Sequence, residues 1–104
     1  MSDLEMCKAI AKLEGVDASA FDGRLYINIK YYGYTETYNP ITDLDLNCML
    51  RDKWEVNITY HHNQVAIWIE TTWITVEYKC KTEISRAVCE CVLRAEGIYE
   101  EDEV

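Results

Sequence analysis

This chain is short of the residues from which most recognisable active sites are assembled. Four glycines and two histidines are spread through 104 residues, and none of the glycines has the spacing that lets backbone N–H groups cradle a phosphate. Gly-x-Ser-x-Gly and His-Glu-x-x-His are both missing, which removes the commonest signals of a serine hydrolase and a zinc protease. No apolar run approaches the ~18 residues that a membrane-spanning helix needs. Met1-Ser2-Asp3-Leu4-Glu5 has neither a basic start nor an apolar stretch, so no export signal is expected and the chain reads as cytoplasmic. Positive charge is scarce as well. Ten lysines and arginines face nineteen acids, for a formal charge of −9. The bases are scattered, with Lys79 and Lys81 the closest thing to a cluster, and such a surface repels duplex nucleic acid. Direct nucleic-acid binding is not expected.

The acids that are present are unevenly placed. Residues 53–95 hold five acids and five bases, and so are neutral. Residues 1–52 carry nine acids against five bases, and residues 96–104 carry five acids and no base. The excess charge therefore falls outside a balanced middle that reads as folding core. Charge that folding does not need points to solubility or to a cationic partner.

Apolar residues make up 49% of the chain and recur with regular periods, which fits one folded domain over residues 1–97 with an acidic tail over 98–104. Residues 2–14 read as a helix: Ser2 or Asp3 caps it, Met6, Ile10 and Leu13 form its stripe, and Gly15 ends it. Val16 to Gly23 reads as a connector with Phe21 packed down. Leu25, Ile27, Ile29 and Tyr31 alternate as in a strand, followed by the tyrosine-rich stretch Tyr31-Tyr32-Gly33-Tyr34-Thr35-Glu36-Thr37-Tyr38. Thr42 is expected to cap a second helix with Asp43 and Asp45 in its first turn and with Leu46, Met49 and Leu50 facing inward.

Three alternating segments follow, over Trp54–Tyr60, Val65–Ile69 and Ile74–Cys80, and their short connections demand an antiparallel meander. Trp68 and Trp73 fall on the face opposite the aliphatic row. Thr82 is expected to cap the last helix, whose buried face is Ile84, Ala87, Val88, Cys91, Val92 and Ala95, with Gly97 at its end. The Glu100-Glu101-Asp102-Glu103 run beyond it reads as frayed and solvated. The expected fold class is α+β, α-β-α layered, with a small antiparallel sheet of three to four strands packed with an N-terminal, a central and a C-terminal helix.

Candidate chemistry is thin. Cys89 and Cys91 sit two apart on a helix and point in nearly opposite directions, so they do not chelate one ion together. The five cysteines, odd in number and irregularly spaced, read as reduced and mostly buried thiols, with Cys7, Cys48 and Cys80 at apolar positions. His61-His62 reads as a solvated hairpin turn. No cofactor, metal site or catalytic residue is expected. The best candidate for binding is the tyrosine-rich stretch with the acids near it: Tyr31, Tyr32, Tyr34, Glu36, Tyr38, Asp43 and Asp45. Tyrosine offers large contact area with little rotamer entropy; alternate tyrosines lining the core explain the pattern equally well.

Ile10-Ala11-Lys12 with Gly15, Tyr38-Asn39-Pro40-Ile41-Thr42-Asp43, Trp54-Glu55-Val56 and the Thr82–Ala95 helix with its Ala87-Val88-Cys89 centre give the chain a resemblance to a family. It resembles the phage ABA-sandwich domain proteins, over most of its length. The tyrosine-rich stretch and the acidic tail depart from that pattern. The resemblance implies a phage or prophage origin and a layered α-β-α fold, and it carries no catalytic residue across. Two functions are then expected. One is an acidic protein that binds a host protein with a basic surface, such as a defence nuclease or another nucleic-acid-binding factor, and inhibits it. The other is an accessory or assembly protein that forms a homodimer through its aromatic face.

Overall fold

The computed structural model describes residues 1–28 and 36–101. Over these the fold is α+β, with three helices and two small antiparallel sheets of three strands each. Helix α1 (Asp3–Leu13) starts at a Ser2 cap, whose hydroxyl accepts from the Glu5 N–H at 3.2 Å and donates to the Glu5 carboxylate. Its stripe of Met6, Cys7, Ile10 and Ala11 is buried.

The segment read as a connector is a strand. Strand β1 (Ala18–Phe21) pairs with β2 (Arg24–Ile27), and Asp22 and Gly23 between them both take positive φ, as a two-residue turn of the primed type requires. Phe21, expected to pack down, is 75% exposed because it stands at the tip of this hairpin. A two-residue strand, β3 (Glu36–Thr37), completes the first sheet. The expected continuation of β2 through Ile29 and Tyr31 lies outside the described residues.

The meander forms as read: β4 (Asn57–Thr59), β5 (Gln64–Ile69) and β6 (Thr72–Glu77) pair in that order. Strand β4 is shorter than the alternation suggests, since Glu55 turns through positive φ and Tyr60–His62 wind into a 3₁₀ turn. Val65, Ile67 and Val76 point from the inner face onto α3 (Ile84–Ala95). That helix does not begin at a Thr82 cap. Lys81–Glu83 form a 3₁₀ turn, the Thr82 hydroxyl lies 2.9 Å from the Cys80 thiol, and the Glu83 carboxylate accepts from the Lys79 N–H.

Helix α3 is the spine of the molecule. The sheet packs on one side of it, while α1 and α2 (Leu44–Lys53) pack against it elsewhere. This is why Cys89 and Leu93, off the expected stripe, are as buried as Val88, Cys91 and Val92. Each fully buried aliphatic side chain here contributes roughly 1.5–3 kcal/mol.

Charge does not divide in space as it divides in sequence. Arg86 of α3 binds Asp3 at 2.8 Å and donates to the Met1 carbonyl, and Arg94 binds both Glu90 and Glu101. The Met1 ammonium donates to the Glu100 carbonyl at 2.9 Å. Acids of the two outer segments thus neutralise bases of the middle. The described part of the acidic tail is tied to the body rather than frayed.

Candidate functional site

Helix α2 carries the most distinctive exposed surface. Asp43, not Thr42, is its cap, and one carboxylate oxygen accepts from the N–H groups of Asp45 and Leu46. Thr42 instead lends its own N–H to Asn39. The buried side of the helix differs from the expected stripe because the Asn47 amide finds tertiary partners. Asn47 and Leu50 point inward, Leu46 is half-buried, and Met49, expected inside, is 67% exposed.

Asn47 is wholly buried and every polar atom of its amide is engaged. The amide nitrogen donates to the carbonyls of Pro40 at 2.8 Å and Ser85 at 3.0 Å, and lies 3.7 Å from the Cys89 sulfur. The amide oxygen accepts from Arg51 Nε at 2.8 Å. One side chain thereby fixes α2 to the loop before it and to α3 behind it.

The consequence for the surface follows from where the bases go. Arg51 is turned back onto Asn47, and Lys53 onto Glu14, which also accepts from the Trp54 indole N–H at 3.1 Å. Asp45 and Asp52 point to solvent with no bonded partner among the described residues. Asp52 stands in the last turn, where the helix dipole disfavours a carboxylate. Folding gives no reason for it to be there. Met49 stands on the turn between these acids, and Leu44, 60% exposed, precedes them at the start of the helix. Beside them opens a cavity of about 280 Å³ lined by Val16, Tyr38, Leu46, Met49, Leu50 and the Glu14–Lys53 pair.

The residues singled out from the sequence separate into groups. Tyr31, Tyr32 and Tyr34 lie outside the described residues. Tyr38 is a core residue that floors the cavity; burial, helped by the charge of Glu14, pushes its hydroxyl up to about 12. Glu36 is exposed on β3, Asp43 is committed to capping, and Asp45 faces solvent. The exposed Leu44, Met49 and Asp52 were not singled out. Of these, Asp52 had a readable signal, an acid at the wrong end of its helix.

The thiols divide likewise. Cys7, Cys89 and Cys91 are buried, and desolvation raises them to about 11, 12 and 11. Cys48 and Cys80, expected at apolar positions, are exposed: Cys80 lies past the end of β6 at the start of the Lys81–Glu83 turn, and Cys48 is not on the buried Asn47–Leu50 side of α2. His61 and His62 are exposed in the turn before β5. Among the described residues no group of three His, Cys, Asp or Glu side chains is placed to hold a metal ion. No described helix is long and apolar enough to cross a membrane. Comparison with family models, curated proteins and solved structures gives no match.

Proposed function

We propose that this protein is a non-enzymatic binding protein of phage or prophage type that acts in the host cytoplasm. It lays the α2 surface against the basic, nucleic-acid-binding face of a host protein, a defence nuclease being the natural example, and inhibits it by occupying that face. One observation carries the reading: both bases of α2 are drawn onto Asn47 and Glu14, while Asp45 and Asp52 stand in solvent beside exposed Met49. Carboxylates spaced along a helix suit lysines and arginines that otherwise hold phosphates. An exposed methionine beside an apolar cavity suits a partner of irregular shape. The raised thiols favour the unreactive form, in keeping with a role that needs no nucleophile. The phage setting rests on the resemblance of the helix starts and of the last helix to the ABA-sandwich proteins.

The test is capture from a bacterial host lysate with immobilised wild-type protein and with an Asp45→Asn, Asp52→Asn, Met49→Ser variant. The wild type is expected to retain nucleic-acid-binding proteins that salt or heparin releases, and the variant to retain far less. A captured nuclease is expected to cut duplex DNA more slowly in the presence of the wild type. Equal capture by both proteins, or capture that ignores salt, contradicts the reading.

A further inference from the structure

We infer that the open face of the β4–β5–β6 sheet is a contact between two copies of this chain, a surface separate from α2. Strand register places Asn57, Ala66 and Thr75 in one row across this face, with Thr59, Gln64 and Glu77 on one side of it and Trp68 and Trp73 on the other. The two indoles stand edge to face at 5.1 Å, and each is about half exposed (51% and 50%). Next to them the same face sinks into a depression of about 420 Å³, lined by Asn57, Thr59, Gln64, Ala66, Trp73 and Thr75. The methyl group of Ala66 is its floor.

A projection and a hollow side by side on one surface are the requirement for a two-fold contact. Adjacent rows on one face of a strand are about 7 Å apart. A two-fold axis between the Trp68–Trp73 row and the Ala66–Thr75 row therefore seats the indoles of each copy in the hollow of the other.

Charge selects the occupant. The face and its margins carry Glu55, Glu70, Glu77 and Lys79, a net −2 out of the −9 of the whole chain. A basic partner finds little to hold there, and two copies find little to repel. Aromatic enrichment and charge depletion are the marks of the centre of an interface. The outer side of one small three-stranded sheet is at the small end of the surfaces that make specific contacts, so the dimer is weak, reversible and dependent on concentration.

Sedimentation velocity of the full chain, from low micromolar to near-millimolar concentration and at two salt strengths, tests this. The expected result is a monomer that becomes a dimer as concentration rises, with a blue shift of indole emission. Salt should tighten the dimer, since it screens the repulsion between two acidic bodies. Trp68→Ala and, independently, Thr75→Arg should each weaken it by ~10-fold or more, with circular dichroism and melting unchanged. Thr75 is exposed, so its variant keeps the test sound if loss of an indole disturbs the hairpin. A monomer at every concentration overturns the inference. So does a dimer indifferent to both substitutions, or one that salt dissolves. A monomer whose indoles are already shielded from acrylamide overturns it too, because another part of the same chain then covers the face.

Discussion

Helix α3 supports two surfaces that differ in what fixes them and in what they present. On the sheet side, burial of Val65, Ile67 and Val76 holds the strands to the helix, with the Cys91 thiol donating to the Ile74 carbonyl, and the outer face is nearly uncharged. On the α2 side, a buried amide ties three segments together, Arg51 and Lys53 bond to Asn47 and Glu14, and Asp45 and Asp52 stand exposed. Apolar burial is tolerant of small shifts, whereas the Asn47 network accepts one position of α2 only. The difference teaches that an acidic helix keeps carboxylates free at its surface when its own bases bond to other groups.

The sharpest way to break this contrast is Asn47→Leu. It orphans the Pro40 and Ser85 carbonyls and frees Arg51, and the expected loss is about 3 kcal/mol in urea unfolding. Val65→Ala on the sheet side should cost less, about 1–2 kcal/mol, through cavity formation. If Asn47→Leu proves neutral, the amide is no anchor.

Alkaline titration sharpens the contrast next. Cys89, against Asn47, has its thiol raised from 9.0 to about 12, and Cys91, which donates to the Ile74 carbonyl of β6, from 9.0 to about 11. The unfolded chain ionises first. The stability from each thiol is therefore whole below pH 9 and is lost as pH rises through the folded value. Each contributes a fall of about 1.4 kcal/mol per pH unit in that window. Cys91→Ala should remove its share of the slope only up to about pH 11, and Cys89→Ala its share up to about pH 12. Unfolding curves in urea across this range show whether the two differ.

Smaller effects concern backbone strain at matched places. Glu55 after α2 and Glu70 in the β5–β6 turn both take positive φ, at 51° and 53°. Replacement of either by glycine should stabilise by about 0.5–1 kcal/mol. The smallest expected effect is that of Asp52→Asn, a gain of about 0.3 kcal/mol from relief of the helix dipole. A clear loss there means that the carboxylate serves the fold after all.

Much of this architecture was legible. The Ser2 cap, the alternation through Val65–Ile69 and Thr72–Glu77, and the apolar period of α3 each specify an element through local physics. Asp22-Gly23 was an equally local signal for the β1–β2 hairpin, but Ala18–Phe21 before it has only small or exposed side chains and no strong apolar row to mark a strand. The face of α2 was harder to read. Leu46, Met49 and Leu50 make as good a stripe as Asn47 and Leu50, and only tertiary partners for the amide decide between them. The pairing of Asp3 with Arg86 and of Glu101 with Arg94 was likewise beyond a tally of charge along the chain, since the partners lie 83 and 7 residues apart.

One experiment decides whether the α2 carboxylates serve recognition or folding. The Asp45→Asn, Asp52→Asn variant is compared with the wild type for urea unfolding and for salt-sensitive capture of host nucleic-acid-binding proteins. Unfolding free energies within ~0.5 kcal/mol of each other, together with loss of capture, are predicted. A variant that unfolds readily, or that captures the same proteins as before, contradicts the account.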